Sequence, residues 1–210
     1  MDHIKIYHWQ TVDHNNSHLI IEGPVSPDLL AGWNMHKDLD AFRSPKDQQA
    51  ALVEIASLPE GRVIVARNGR TIIGYVTFHY PDKMERWSKL SMPDLIELGA
   101  IEVANEYRSL GLGQKIIQLA FAENQMENVI VFTTEYYWHW DLKSSKFSIW
   151  NYRAMMERLM NSVDMAWYAT DDPEICSHPA NCLMARIGHE VPNSSVEQFD
   201  RTRFQYRFMH

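Results

Sequence analysis

The strongest constraint on the fold is a change of pattern near the centre of the chain. Residues 101–117, IEVANEYRSLGLGQKII, start as an apolar run, pass through a charged turn with two glycines, and continue with apolar residues at helical spacing. A strand that enters a helix through such a turn presents free backbone N–H groups and the positive end of the helix dipole. The sequence therefore predicts a strand, a glycine turn and a helix that together bind an anion.

The segments on the amino-terminal side predict a β-hairpin. It spans residues 62–80, where two β-branched runs are joined by Asn68-Gly69, a pair that favours tight hairpin turns. Before the hairpin we expect a strand at 17–23 and helices at 26–39 and 44–58. Both helices open with a Ser-Pro pair, which is a common helix start.

Apolar periodicity after the hairpin predicts further strands and helices. The predicted strands are 94–103, 128–136, 163–170 and 199–210, and the predicted helices are 111–127, 146–162 and 173–187. Periodicity does not decide whether 128–134 or 163–170 supplies the strand that splays away from the third strand. The pattern indicates an α+β fold in one domain over residues 1–210, with a mixed, largely antiparallel twisted sheet flanked by helices.

Composition limits the classes of function. A formal net charge of −7 and a pI near 5.8 argue against nucleic-acid binding and favour cationic partners, such as an amine or a lysine-bearing protein. The first residues lack a signal-peptide pattern and no stretch reaches the roughly 18 apolar residues of a membrane span, so we expect a cytoplasmic protein without membrane association. A disulfide between Cys176 and Cys182 is not expected. The N-terminal histidines lack regular ligand spacing, so we expect a solvated, partly disordered lead-in there and no metal site: His3, His8, His14 and His18.

The glycine turn resembles a known cofactor motif. The run Arg108-Ser109-Leu110-Gly111-Leu112-Gly113 fits the pattern Arg/Gln-x-x-Gly-x-Gly/Ala, which starts the cofactor helix in the GNAT superfamily of N-acetyltransferases. A Cβ at either glycine would obstruct a pyrophosphate that approaches the main chain. The hairpin, the strand before the turn, and LMARIGHEV (183–191), which is similar to a later helix of these enzymes, extend the resemblance over residues 60–192.

This resemblance implies a GNAT fold and a coenzyme A site. Residues 1–59 would form an N-terminal strand and helices, 60–192 the core, and 193–210 a C-terminal strand. Backbone groups of Ile101 and Val103 would pair with the pantetheine arm like an added strand. The diphosphate would be bound along the turn and the start of the helix, at Arg108, Ser109, Leu110, Gly111, Leu112, Gly113, Gln114 and Lys115.

Longer stretches resemble one branch of the superfamily, the acetoin-utilisation protein acetyltransferases. These stretches are LPEGRVIVAR (58–67), LIELGAIEV (95–103), TTEYYWHWDLK (133–143) and ATDDPEICSHPANCLMARIG (169–188). The resemblance implies acetyl-CoA as donor. It also implies, as acceptor, an enzyme of the acetyl-CoA synthetase type that is acetylated on its active-site lysine and thereby inactivated.

Acetyl transfer to a lysine requires a base. A free lysine has a pKa of about 10.4, and forming the neutral amine at pH 7 costs roughly 4.6 kcal/mol. Glu97 and Glu102 on the third strand are the candidates, and because strand residues alternate faces, at most one should face the acceptor. In protein-lysine acetyltransferases of the superfamily the base lies eleven residues before the motif, and counting back from Arg108 reaches Glu97. We therefore expect Glu97 to be the base and Glu102 to lie beside the cofactor segment.

Two features leave alternatives open. Many superfamily members have a tyrosine that protonates the departing thiolate, but Met184 stands at that position and cannot donate a proton. Water, Tyr168 or His178 could replace it. The segment 133–143 is either aromatic core packing or the wall of an acceptor groove, and the acids of 169–174 either add negative charge there or cap a helix. A small-amine acetyltransferase and a non-catalytic inhibitor that responds to acetyl-CoA are the competing functions.

Overall fold

Helices and strands are distributed along the whole described chain, which in the computed structural model comprises residues 2–14, 17–89 and 91–205. The strands are β1 (His8–His14), β2 (Ser17–Gly23), β3 (Asn34–Met35), β4 (Arg62–Asn68), β5 (Thr71–His79), β6 (Leu95–Val103), β7 (Ile130–Glu135), β8 (Ala166–Tyr168) and β9 (Cys182–Ile187). The helices are α1 (Pro27–Ala31), α2 (Pro45–Ser57), α3 (Leu112–Ala120), α4 (Leu142–Ser145), α5 (Ile149–Asn161), α6 (Pro173–Cys176) and α7 (Asn193–Arg203).

The chain divides into two compact units. The N-terminal unit comprises residues 2–79 and 98–124, and the C-terminal unit comprises residues 80–97 and the described residues from 125 onward. Strand β6 therefore gives its first three residues to the C-terminal unit and the others to the N-terminal unit. The single domain expected over residues 1–210 stays a prediction.

The N-terminal unit is a sheet with helices packed on it. Strands β1, β2, β4 and β5 are joined antiparallel in that order, β6 lies beside β5, and the short β3 pairs parallel with β5. Helix α2 contributes Leu52 and Ala56 to a core that contains Val63, Val65 and Tyr75 from the hairpin strands. Burial of these side chains is the main stabilising contribution to this unit.

The C-terminal unit has its own strands and core. The first residues of β6 pair parallel with β7, from Leu95 opposite Ile130 to Glu97 opposite Phe132. Strand β9 lies antiparallel between β7 and β8. Phe132 and Trp87 pack with ring centroids 4.8 Å apart, and Phe199 of α7 closes the core 5.7 Å from Trp87.

Most of the predicted elements are confirmed. The strands at 17–23 and 94–103, the hairpin, and the helix at 44–58 agree with the structure within one residue or so. The predicted elements at 128–136, 146–162 and 163–170 are also present with shorter ends. Strand β7, not β8, is the neighbour of β6, which decides the alternative that periodicity left open. The α+β class with a mixed, largely antiparallel sheet is confirmed.

The helix predicted at 26–39 is wrong beyond Ala31. Helix α1 ends at Gly32, after which the chain runs along the edge of β5. There the backbone N–H groups of Asn34 and His36 donate to the carbonyl oxygens of Arg70 and Ile72, at 2.8 and 2.9 Å. Gly32 and Asn34 are weak helix formers, which disfavours a longer helix. The edge of β5 offers backbone hydrogen-bond partners to the extended chain instead.

The helix predicted at 173–187, and with it the later helix suggested for 183–191, is also wrong. Helix α6 ends at Cys176, and Cys182–Ile187 is the strand β9, paired on both sides. A short apolar run that is buried on both faces has no period that separates a strand from a helix. Pro179, between the two elements, marks the break.

The strand expected at the C-terminus, over 199–210 within 193–210, is wrong where the structure describes it. Asn193–Arg203 is the helix α7, whose buried residues Phe199 and Thr202 are three positions apart, as on one helix face. Residues 206–210 lie outside the described part of the chain.

Three smaller expectations also need correction. The helix predicted at 111–127 ends at Ala120 and is followed by a 3₁₀ turn at Asn124–Asn128. The hairpin turn is Gly69-Arg70, because Asn68 still pairs with Thr71. The N-terminal histidine region includes the regular strand β1, which pairs with β2 along its length, and is not an unstructured lead-in there.

Within the described residues, no helix combines the length and the apolar character needed to cross a membrane.

Gly61 provides a test of the packing between α2 and β4. A Cβ at this position would lie 1.8 Å from the carbonyl oxygen of Ile55, a backbone atom that cannot move aside cheaply. We expect Gly61→Ala to lower the free energy of unfolding by at least about 2 kcal/mol in urea denaturation. Gly32→Ala is the matched control, because its Cβ would meet atoms at 3.5 Å or more, and it should change stability by less than about 1 kcal/mol. Equal effects of the two substitutions would contradict this packing.

Candidate active site

The glycine turn of the N-terminal unit has the geometry of an anion site. Asn105–Leu110 forms a 3₁₀ turn, and Gly111 follows as the N-cap of α3 with φ of +66°, a left-handed conformation that favours glycine. A Cβ at Gly111 would meet no atom within 4 Å, so the space beside the main chain is open. Glycine has no side chain to cap the helix, so the N–H groups of residues 112–114 can meet a ligand, whereas the Lys115 N–H donates to the Gly111 carbonyl oxygen at 3.2 Å.

The other residues predicted to bind the cofactor lie around this turn. Arg108, Ser109 and Leu110 are in the 3₁₀ turn, and Leu112 to Lys115 form the first turn of α3. The side chain of Leu112 is fully buried, so only its backbone can face a ligand. The Arg108 Nε atom donates to the carbonyl oxygen of Val103 at 3.0 Å, which ties the turn to the end of β6.

A histidine from a distant part of the sequence fixes the entrance of the turn. His36 Nε2 lies 2.5 Å from Glu106 Oε1, and the ring of Tyr107 packs edge-on to His36 at 5.9 Å. His36, Asp38 and Glu106 are also close enough to hold a metal ion. However, His36 Nδ1 accepts the backbone N–H of Asp38 at 3.2 Å, which leaves Nε2 as the protonated nitrogen that donates to Glu106. These contacts join the segment after β3 to the turn and act as a brace for it.

Glu102 is held by two hydrogen bonds in the N-terminal unit. Its side chain is 6% exposed, and its carboxylate accepts the Ala41 N–H at 2.9 Å and the Tyr75 hydroxyl at 2.7 Å. Burial raises the pKa of Glu102, and these two hydrogen bonds oppose the shift. The partners favour a role in holding the backbone at Ala41 against β6, and the catalytic role expected for Glu102 stays a prediction.

Glu97 has a different environment in the C-terminal unit. It is the last residue of β6 that pairs with β7, and it is half-buried. Burial raises the pKa of Glu97 to about 8, with smaller contributions from the negative charges of Glu85 and Asp82. A carboxyl group with this pKa can accept a proton near neutral pH, which an ordinary glutamate does poorly.

Further acidic groups act on the same region. Burial raises the pKa of Glu85, and the carboxylates of Asp82, Glu174 and Asp172 raise it further. The pKa of the Tyr136 hydroxyl is also raised, mainly by burial, and again by Glu174, Asp172 and Glu85. The carboxylates of Glu174 and Asp172 therefore act on both Glu85 and Tyr136. Sequence reasoning missed Glu85, because a lone acid in a polar loop carries no motif.

Residues 169–174 cap a helix, and they also carry negative charge that acts on nearby groups, while their place in an acceptor groove stays a prediction. Asp172 caps α6 by accepting the Glu174 N–H at 2.9 Å, and it also forms an ion pair with Arg86 at 3.3 Å. Its charge contributes at the same time to the field around Glu85 and Tyr136.

The position of the usual tyrosine and the two candidate proton donors lie in different environments. Met184 lies buried in the middle of β9, opposite Thr133 of β7. Tyr168 of β8 packs against Phe199 at 5.9 Å, under the guanidinium of Arg203. His178 stacks near Tyr137 with ring centroids 4.3 Å apart. The structure therefore assigns no side chain to the role that tyrosine has in many relatives.

Comparison with known proteins agrees with this geometry. The model of the acetyltransferase (GNAT) family matches residues 31–142. The acetoin utilization protein AcuA of Bacillus subtilis is 59% identical, and that of Bacillus licheniformis is 53% identical, each over the full length of both chains. The crystal structure of an acetoin utilization protein from Exiguobacterium sibiricum superposes with a TM-score of 0.95 at 50% identity, covering 98% of each chain.

The family match covers more than half of the chain and includes both the glycine turn and Glu97. The expected GNAT fold and resemblance are thereby confirmed. The chain belongs to the GNAT family of acetyltransferases, enzymes that take the acetyl group from acetyl-CoA.

Proposed function

We propose that this enzyme transfers the acetyl group of acetyl-CoA to the active-site lysine of an acetyl-CoA synthetase type enzyme in the cytoplasm and so inactivates it. The names of the curated relatives connect the proposal to acetoin utilisation. The observation that carries the mechanism is the half-buried position of Glu97 at the end of the β6–β7 pairing, where burial raises its pKa to about 8. It makes Glu97 a base suited to a lysine ammonium.

In this proposal acetyl-CoA is bound through its diphosphate. The first-turn N–H groups of α3 and the open space beside Gly111 fit a phosphate that approaches the main chain. The positive end of the α3 dipole favours the same charge. Arg108, Ser109, Gln114 and Lys115 lie around the turn with polar side chains, and Ile101 and Val103 on β6 offer backbone groups to the pantetheine arm.

The chemistry needs one base and no covalent intermediate. The acceptor lysine gives a proton to the Glu97 carboxylate, directly or through water, and the neutral amine attacks the thioester carbonyl. A C–N bond forms and the C–S bond breaks, and the surplus proton of the attacking nitrogen passes to the departing thiolate, directly or through water, so that the products are the amide and the thiol of coenzyme A. A thiol has a pKa near 8.5, so the thiolate can leave without a dedicated acid, in accord with Met184 at the position of the usual tyrosine.

The charges around Glu97 support a cationic acceptor. The negative charges of Glu85 and Asp82 both act on Glu97, and the same two charges would attract an incoming ammonium. The net charge of −7 acts in the same direction at longer range. A neutral acceptor would gain nothing from this arrangement.

The pH dependence of Glu97→Gln tests the base. For the wild type, kcat/KM with the synthetase should rise about tenfold per pH unit and level off above about pH 8, where Glu97 is deprotonated. Glu97→Gln should lower kcat/KM by roughly 10²–10⁴-fold, and the inflection near pH 8 should vanish because only the lysine then titrates. Acetylated synthetase is quantified by mass spectrometry.

The control for this experiment is Glu102→Gln, which keeps the hydrogen-bonding shape while removing the second predicted base. It should retain the inflection near pH 8. If Glu97→Gln keeps both rate and inflection, Glu97 is not the base. If the synthetase is inhibited without any adduct, and equally by the variant, the protein is a non-catalytic inhibitor. Efficient acetylation of free amines but not of the synthetase would indicate a small-amine enzyme.

Gly111→Ala tests the diphosphate site. The added Cβ would fill the open space beside the turn, and we expect the Kd for acetyl-CoA to rise at least about tenfold in calorimetry. Gly69→Ala is a matched control, because Gly69 also has a left-handed φ, of +57°, and also has no atom within 4 Å of its would-be Cβ. Both substitutions should cost about 1–2 kcal/mol of stability. Equal Kd values for both variants would place the cofactor elsewhere.

A further inference from the structure

Four aromatic side chains of the C-terminal unit form a surface that no step of acetyl transfer uses. We propose that this surface, called the aromatic platform and made of Tyr137, Trp138, Trp150 and His178, docks the cationic segment of the acceptor protein that flanks its reactive lysine. The inference rests on the proposed function, since it assumes a protein acceptor.

The rings of the platform contact one another in sequence. Trp138 meets Tyr137 edge-on at 5.3 Å, Tyr137 meets His178 at 4.3 Å, and Trp150 stacks on His178 at 6.4 Å with an angle of 24° between the rings. They come from three places, the segment after β7, helix α5 and the loop after α6. Three elements thus contribute to one continuous aromatic surface.

The two tryptophans of the platform expose a large apolar area to water, which costs free energy. Trp138 is 46% exposed and Trp150 is 54% exposed. Large aromatic side chains placed together at the surface are typical of binding sites, where they contribute most of the affinity. Isolated exposed apolar residues are common, whereas these two exposed tryptophans are connected through the rings of Tyr137 and His178.

Buried polar groups hold the platform in place. The backbone N–H of Tyr137 donates to Asn181 Oδ1 at 3.1 Å, and Asn181 itself is 5% exposed and donates to the carbonyl oxygen of Glu174 at 3.1 Å. At the other end of the segment, Trp140 Nε1 donates to Glu135 Oε2 at 3.0 Å. A surface fixed at both ends loses little conformational entropy when a partner binds.

Charge indicates which partner fits. Tyr136 stacks on Trp138 with centroids 4.9 Å apart, and the pKa of its hydroxyl is raised, after burial, by the carboxylates of Glu174, Asp172 and Glu85. These three carboxylates therefore act on Tyr136, the ring that borders the platform at Trp138. Exposed indole and phenol faces also attract ammonium and guanidinium groups. A segment rich in lysine or arginine satisfies both conditions.

The strand register relates the platform to the base. Glu97 is paired with Phe132 in parallel strands, and Tyr136 follows Phe132 by four residues. At about 3.3 Å per residue, this corresponds to roughly 13 Å along the direction of β7. That separation exceeds the length of a single lysine side chain, so the platform would bind residues a few positions from the reactive lysine and not the lysine itself.

The test compares an intact acceptor with a short one. In Trp138→Ala and Trp150→Ala, the KM for the intact synthetase should rise at least about tenfold, with kcat unchanged. The kcat/KM for a five-residue peptide around the acceptor lysine, and the Kd for acetyl-CoA, should stay within about twofold. Trp138→Tyr should restore most of the KM, because it keeps an aromatic face.

Two controls separate docking from general effects. Trp9→Ala removes a tryptophan that is 63% exposed on β1, in the other unit, and should leave every constant unchanged. Glu174→Gln removes an exposed charge near the platform and should raise the KM for the intact synthetase and reduce its dependence on salt. Direct binding of the synthetase, measured by calorimetry without acetyl-CoA, gives a readout that is independent of turnover.

The outcomes are distinguishable. Unchanged KM and Kd for the synthetase in both tryptophan variants would overturn the platform while leaving the proposed function intact. Loss of self-association in these variants, seen by sedimentation, with unchanged KM would assign the surface to a second copy of this chain. If wild type acetylates no synthetase and binds none, the proposed function itself fails. A tenfold weaker binding in Trp138→Ala but not in Trp9→Ala supports docking.

Discussion

The cost of removing carboxyl groups from water governs this site. An ionised glutamate is stable in a half-buried position only if partners replace its hydration. Glu102 has such partners in Ala41 and Tyr75, whereas the neighbours that act on Glu97 are other acids. Two glutamates five residues apart on one strand therefore have different properties, one held in the framework and one able to exchange a proton near neutral pH.

Strand β6 places these two functions in order along the chain. Its first residues pair with β7 and end at Glu97, and its last residues lead through Val103 into the glycine turn. The main-chain geometry at Gly111 then starts α3 with open N–H groups. The predicted base and the predicted anion site are thus carried by one continuous stretch of the sequence.

Sequence analysis predicted this segment well because its signals are local. The glycine pattern, the β-branched strands and the Ser-Pro helix starts each depend on residues within one element. It failed where long-range pairing decides the structure. Cys182–Ile187 is a strand because β7 and β8 pair with it on both sides. The residues after Ala31 are not helical because they pair with the edge of β5. The brace from His36 to Glu106 and the field around Glu85 likewise join residues that only the fold brings together.

The acids around Glu97 have a consequence for the enzyme between turnovers. Burial, and then these acids, raise the pKa of Glu97 to about 8, so its carboxyl group carries a proton at pH 7 far more often than that of an ordinary glutamate. If Glu97 is the base, as proposed, an enzyme that holds acetyl-CoA without an acceptor would activate water poorly, and the thioester would be protected from hydrolysis. A bound cationic acceptor would offset the negative charges of Glu85 and Asp82, and would therefore favour ionisation of Glu97. In the proposed reaction, the acceptor itself would thus convert Glu97 to the ionised form that accepts its proton.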